Sequence, residues 1–355
     1  MTAKNIYITF TPYHIFLAGM IAMERPQEQN VLWAVADFNA EQMMEALKNS
    51  QVFSACLTLP GLYKQSSHRN RLRKNNAQKI GELLKQESSL QALFLGTDTR
   101  IETQTAAFKA KKYFPNVNVT VMEDGGDFYH SEAPPPAKSL WKQLHSKLIF
   151  GRWQEDVKFA GLYSYTDDVK MIFPEMARPE ILHKQRTAIS GEYCFSSRYQ
   201  EFIKKYWSLF PKEKADFLQA DGILMVAYSG YGKTHPAYVQ VIREICQQAA
   251  LKNRKLVVKY HPREETFDYC KLSSLPNVTL AAEQIPAELI YALRPEHLKY
   301  IIGDISSALM TAKWLLQEQL SVYSTAAVLG VQDRLLDVFA QLGIQVIHDF
   351  SEVEF

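Results

Sequence analysis

Three short stretches combine residue types that can do chemistry. GluAspGlyGly at 123–126 sets two carboxylates beside two glycines. A carboxylate there can take a proton from a substrate hydroxyl, while Gly125 and Gly126 allow a sharp turn and close approach; Glu123 and Asp124 equally suit a helix N-cap or a loop. His261 and Pro262 follow the apolar run LeuValVal at 256–258. A histidine so placed can act as cation or acid beside a leaving phosphate, with Lys259 and Arg263 adding positive potential, or it is a half-buried loop residue. Ser306 and Ser307 precede a helical pattern, where hydroxyls and first-turn N–H groups make an anion site and where serines also serve as caps.

Weaker signals accompany these. SerGlyTyrGlyLys at 229–233, with Ser229 and Gly230, offers a glycine loop for phosphate or sugar, although it matches neither GxxxxGK[ST] nor GxGxxG. Glu288, two residues after Pro286, can accept two hydrogen bonds from a ribose diol or simply complement a helix dipole. A second HisPro, at 235–236, reads as a helix start with Pro236 as first helical residue. AspAsp at 167–168 falls in an irregular stretch rather than in a metal-binding DxD, so a mechanism without metal or cofactor is expected.

Positioning these residues is the work of alternating strands and helices. Apolar runs at 6–10, 31–35, 92–96 and 119–122 alternate with helical patterns near 13–23, 40–49 and 101–113. The second half repeats the design with runs at 223–227, 255–260, 278–280, 300–303 and 320–323 and a helix from about 236 to 250. Such alternation predicts α/β architecture with parallel sheets: two facing doubly wound, Rossmann-like domains with a cleft between them. The boundaries read as 1–185, a connection at 186–220, and 221–355, the last helix packing back on the first domain. The stretch 131–220, with three prolines at 134–136, is expected to hold peripheral helices and the interdomain connection. Ligands of such sheets bind outside the carboxyl ends of the strands, where the reactive residues fall.

Composition narrows the class. A chain of 355 residues has room for two cores, and 47% hydrophobic with 22% charged residues describes a folded protein. A net charge of +2 without finger, knuckle or aromatic RNA-binding motifs argues against nucleic acid. Cys56, Cys194, Cys246 and Cys270 are scattered, which fits a reducing compartment. The opening residues read as strand, turn and helix rather than a leader, and no segment reaches the about 18 apolar residues of a membrane-spanning helix.

Taken in order, a carboxylate pair with Gly, then HisPro, then SerSer resembles the bacterial sialyltransferases with D/E-D/E-G, H-P and S-S motifs, among them lipooligosaccharide sialyltransferases and capsular polysialyltransferases. The similarity extends from the opening strand and turn through YFPNVNVTVMEDGG, VVKYHPRE, IPAELI and GDISSALM to LGIQVIHDF. The resemblance implies a GT-B fold and inverting transfer of sialic acid from CMP-sialic acid to a glycan hydroxyl, such as terminal galactose or sialic acid of a surface lipooligosaccharide or capsule. On that resemblance Asp124 matches the general base, with Glu123 able to share the role, and His261 the residue that quenches the departing phosphate. Ser306 and Ser307 match the hydroxyl pair on that phosphate, and Glu288 the ribose contact. Glu123, Gly125, Ser229, Gly230 and Pro262 fall on the donor side, and Thr11, Tyr13 and Gly126 on the acceptor side.

Two segments, 64–74 and 138–153, are basic, the second interleaved with aromatic and aliphatic residues. They suit an anionic inner leaflet, a groove for an acidic glycan, or a solvated face. The expected location is the cytoplasm, with peripheral contact to the inner membrane on the first of these readings. Two other functions fit the pattern: a transferase of the same fold using another sugar nucleotide, and a non-catalytic glycan- or nucleotide-binding protein of polysaccharide assembly.

Overall fold

The computed structural model describes residues 3–63, 68–129, 139–262, 264, 266–316, 320–331 and 333–355. Arg263, the prolines at 134–136, and residues 64–67 and 138 of the basic segments lie outside them. The chain divides into two compact units, Met1–Tyr206 and Trp207–Phe355. The division falls within a helix inside the stretch read as the interdomain connection.

The first unit runs β1 (Lys4–Thr9), α1 (Pro12–Met23), β2 (Gln29–Ala36), α2 (Glu41–Lys48), β3 (Ala55–Pro60), α3 (Arg69–Gln86), β4 (Ala92–Leu95), α4 (Ile101–Tyr113), β5 (Asn118–Met122), α5 (Leu140–Phe150), β6 (Asp168–Met171), β7 (Gln185–Ala188) and α6 (Ser197–Ser208). Its seven strands are parallel in the order β3-β2-β1-β4-β5-β6-β7. The chain winds outward from β1 in one direction, then returns to β4 and winds the other way, so a crevice opens between β1 and β4 at their carboxyl ends. β1 is central and buried on both faces: Ile6, Tyr7 and Ile8 are fully covered, as expected of a parallel strand between helical layers. Tyr7 stacks on Phe94 of β4 with ring centroids 4.7 Å apart.

β6 and β7 lie in the stretch expected to hold only peripheral helices and a connection. Their sequences, AspValLysMet and GlnArgThrAla, carry too few apolar residues to be read as strands. β7 is the edge strand, where polar residues discourage further pairing; β6, paired on both sides, buries Val169 and Met171 but is only four residues long.

The second unit runs α7 (Pro211–Leu218), β8 (Gly222–Val226), α8 (Ser229–Thr234), α9 (Tyr238–Leu251), β9 (Leu256–Tyr260), β10 (Val278–Leu280), α10 (Ala287–Tyr291), β11 (Tyr300–Gly303), α11 (Ser307–Leu316), β12 (Ser321–Ser324), α12 (Leu335–Gln341) and β13 (Gln345–Val346). The order β10-β9-β8-β11-β12-β13 repeats the winding of the first sheet, with the reversal between β8 and β11. Val258, Ile302 and Tyr323 meet Tyr238, Ile242 and Ile245 of α9 in one core, against which Phe350 and Phe355 also pack. Trp207, 1% exposed, donates its indole N–H to the Leu289 carbonyl at 3.1 Å and packs edge-on to Phe217.

Candidate active site

In the first unit the chemistry collects at the carboxyl ends of β1, β4 and β5. Thr11 caps α1, its hydroxyl accepting the His14 N–H at 3.1 Å, and Pro12 opens the helix where a missing N–H costs nothing. The cap fixes the entry of the chain and thereby the first-turn side chains Tyr13 and His14. The His14 imidazole is buried against Gly96, just after β4. A Cβ at that glycine would lie 2.6 Å from Nδ1, so any larger residue would push the ring away.

His14 Nε2 lies 3.0 Å from Asp124 Oδ1. An ionised carboxylate only accepts, so Nε2 carries the hydrogen, and the buried Nδ1 has no hydrogen-bond partner. The histidine side chain is 1% exposed and the aspartate 34%: a buried donor holds one oxygen of a carboxylate that solvent reaches. Gly125 follows with φ +61°, a left-handed conformation that favours glycine, and starts the short 3-10 turn Gly125–Phe128 that carries Gly126. Asp124 precedes that turn without capping it by a side-chain hydrogen bond.

Glu123 is used differently. It is 1% exposed; Tyr13 donates to Oε1 at 2.6 Å, and the Tyr129 hydroxyl and the Ile172 N–H (2.8 Å) donate to Oε2. Both oxygens are thus committed to the protein, and Tyr129 passes the network on by accepting the Phe173 N–H at 3.2 Å. Burial lifts the Glu123 carboxyl from 4.5 to about 7, opposed by these donors and reinforced by the Asp124 charge. Neighbouring residues leaving a strand point to opposite sides, which gives one carboxylate to the interior and the other to the crevice.

A stability prediction follows. Because the folded value is raised, the native chain keeps a proton that the unfolded chain releases, so stability present below about pH 4.5 is lost as pH rises through about 7. Glu123→Gln should remove that slope. Urea unfolding at about pH 5 and about pH 8 should show wild type losing roughly 2–3 kcal/mol more than the variant; equal losses would show that Glu123 does not titrate in this window.

In the second unit, adjacent strands β9, β8 and β11 deliver His261, Ser229 and the Ser306–Ser307 pair to one sheet edge. The His261 N–H extends the ladder to the Val226 carbonyl at 2.8 Å, and its ring lies 5.8 Å from that of Tyr228. Pro262 follows on the surface. Ser306 Oγ accepts the Ala308 N–H at 3.2 Å, and Ser307 is the first residue of α11.

The glycine-rich stretch at 229–233 is not a loop. It forms α8, and α9 begins at Tyr238 rather than at Pro236, which sits in the turn between them. A Cβ at Gly230 would lie 2.2 Å from the Tyr228 ring, which would have to shift to admit a larger residue. Where an anion would meet the start of α8, the Glu264 carboxylate is already present, accepting the N–H and the hydroxyl (3.1 Å) of Ser229.

Glu288 is buried in the first turn of α10. Burial raises its carboxyl, while Lys259 opposes the rise. Burial likewise lowers the Lys259 ammonium to about 8, with Glu288 and Glu283 opposing. Lys259 donates to the carbonyls of Tyr260 (3.2 Å) and Glu283 (3.1 Å), so its charge serves the interior rather than the surface beside His261. Asp304, between β11 and the serines, is raised by burial to about 6.

The structure therefore brings Thr11, Tyr13, Glu123, Asp124, Gly125 and Gly126 together in the first unit and Ser229, Gly230, His261, Pro262, Ser306 and Ser307 along one edge in the second. Glu288 is buried in the first turn of α10, where the Lys259 charge acts on it. His14, Gly96 and Tyr129 escaped the reading of the sequence. The clue to His14 was local: Thr followed by Pro marks the start of α1, which places His14 in its first turn. Among the described residues no group of three or more His, Cys, Asp or Glu could hold a metal ion, and no helix is long and apolar enough to cross a membrane.

A family model described as alpha-2,8-polysialyltransferase (POLYST) matches residues 5–323. The chain belongs to that family. No curated protein matches it. Among solved structures, this polysialyltransferase-family protein is similar to UDP-GlcNAc 2-epimerase from Neisseria meningitidis bound to UDP-GlcNAc, with 14% identity over 95% of this chain and 85% of that one and a TM-score of 0.57. It is also similar to UDP-GlcNAc 2-epimerase from Methanocaldococcus jannaschii in complex with UDP-GlcNAc and UDP, with 11% identity over 97% of this chain and 88% of that one and a TM-score of 0.59. At such identity the likeness is one of fold: two parallel-sheet α/β units of the GT-B type. By family the protein is a sialyltransferase and hence a glycosyltransferase.

Proposed function

We propose that the protein transfers sialic acid from CMP-sialic acid to a glycan hydroxyl with inversion and without a metal. The observation that carries the reading is the division of labour between two neighbouring carboxylates: Glu123 is sealed into the protein, and Asp124 faces solvent at a strand end with one oxygen held by His14. Asp124 takes the proton of the attacking hydroxyl on its other oxygen. The hydroxyl oxygen bonds to the anomeric carbon of sialic acid as that carbon's bond to the phosphate oxygen breaks, and the electron pair leaves with CMP. His261 protonates or neutralises the departing phosphate, with Ser306, Ser307 and the start of α11 as further donors. One phosphate asks for less compensating charge than a diphosphate, which is why histidine and hydroxyls suffice on this reading.

The family's description names an α2,8 linkage and a polymer, which favours the terminal sialic acid of a growing surface chain as acceptor; terminal galactose of a lipooligosaccharide is the second choice. The setting proposed is the cytoplasmic side of the inner membrane. Purified protein given CMP-sialic acid and an oligosialic acid primer should release CMP and lengthen the primer with chelator present. CMP should also raise the melting temperature more than UDP or GDP. His261→Ala should weaken CMP binding by about tenfold or more, the scale of a hydrogen bond to a charged group, and slow transfer further. Silence on sialylated and galactose-terminated acceptors alike, or stronger stabilisation by UDP, would replace this reading with a transferase for another sugar nucleotide or a binding protein.

A further inference from the structure

Helix α5 presents its apolar side to solvent. Trp141, Leu144 and Leu148, spaced i, i+3 and i+7, share one face, and they are 82%, 56% and 84% exposed; Ile149 beside them is 42% exposed. Four of the eleven large apolar side chains exposed among the described residues thus sit on this one helix, whereas the others are spread along the chain, as single exposed residues ordinarily are. Two polar residues of the helix, Gln143 and Ser146, are partly covered, while His145 and Lys147 are exposed beside the apolar stripe. An ordinary surface helix turns its large apolar side chains inward; this one leaves four of them in solvent.

Charge identifies what covers the stripe. From 139 to 153 the sequence holds Lys142, Lys147 and Arg152 with His145 and not one Asp or Glu, and Lys147, Arg152 and His145 are exposed. An acidic glycan would satisfy the cations and leave Trp141 and Leu148 in water. A second copy of the chain, paired about a twofold axis along the helix, would set this all-basic segment against itself. One helix face also falls short of the about 800 Å² per partner of a stable protein interface. An anionic lipid surface takes both features at once: the aromatic and leucine side chains enter the headgroup–acyl boundary while the cations meet lipid phosphates.

We propose that α5 is a peripheral membrane-docking helix that lies in the interface plane of an anionic bilayer through Trp141, Leu144 and Leu148. Docking of this kind is separate from the transfer reaction and does not require the donor or acceptor assignments to hold.

The test is vesicle co-sedimentation of the full chain. Wild type should pellet with phosphatidylglycerol–phosphatidylethanolamine vesicles, pellet less as salt rises, and stay in solution with phosphatidylcholine alone. Trp141→Glu combined with Leu148→Glu should lower partitioning by about tenfold or more, and Lys147→Glu with Arg152→Glu should abolish the preference for anionic lipid. Both pairs are exposed, so circular dichroism and transfer to a soluble acceptor should match wild type. The proposal is overturned if wild type ignores anionic vesicles, if the Trp141/Leu148 variant pellets like wild type, or if light scattering shows that these residues instead hold two copies together.

Discussion

Asp124→Asn should keep its fold and its CMP affinity and lose about three orders of magnitude in kcat, within the range that a positioned general base contributes. Asparagine matches aspartate in size, and its carbonyl oxygen can still accept from His14 Nε2, so the crevice of the first unit keeps its shape. What disappears is the second carboxylate oxygen as a proton acceptor. Since that loss is felt in the transition state and not in nucleotide binding, kcat and kcat/KM should fall together. Melting temperature and CMP titration serve as controls. A kcat within tenfold of wild type would remove Asp124 from the role of base. Glu123 is a poor substitute, because Tyr13, Tyr129 and Ile172 already occupy both of its oxygens.

The largest expected loss of stability comes from a residue outside the chemistry. Asp98, just beyond β4, is fully buried and accepts the N–H groups of Gly161 (2.9 Å) and Tyr163 (3.0 Å) and the Thr166 hydroxyl (2.9 Å). Gln104 of α4 adds to the anchor: its amide donates to the carbonyls of Asp98 and Glu155, and its carbonyl accepts the Glu155 N–H. Asp98→Ala would leave two backbone donors and a hydroxyl buried without an acceptor, and a loss of about 3–5 kcal/mol is expected from such a rupture. Urea unfolding would measure it as a lower midpoint at unchanged slope. A loss below about 1 kcal/mol would mean that water or a rearranged backbone takes over those groups.

That anchor also explains which parts of the fold the sequence made legible. β1, β2, β4, β5, β8, β9 and β11 are buried apolar runs, and local pattern alone marks them. β6 is held by pairing with β5 and β7, β7 by pairing with β6, and the irregular chain from 153 to 166 by side chains more than fifty residues earlier, relations with no local signature. The carboxylate pair was visible as a pair, but whether Glu123 or Asp124 faces inward depends on where β5 ends. The glycines at 230 and 232 suggested a phosphate loop because glycine signals conformational freedom; the stretch is helical instead, with Gly230 packed close to the Tyr228 ring. His14 was hidden because the Asp124 it holds lies 110 positions away, and the Gly96 that leaves room for its ring eighty-two.

Both sheets end on strands that offer little to a neighbour. β3 closes with Pro60, β7 is mostly polar, β10 has three residues and β13 two. Unsatisfied backbone groups on a long, flat, apolar rim are what recruit foreign strands into fibrils. Self-association by β-augmentation is thereby disfavoured at both ends of each sheet.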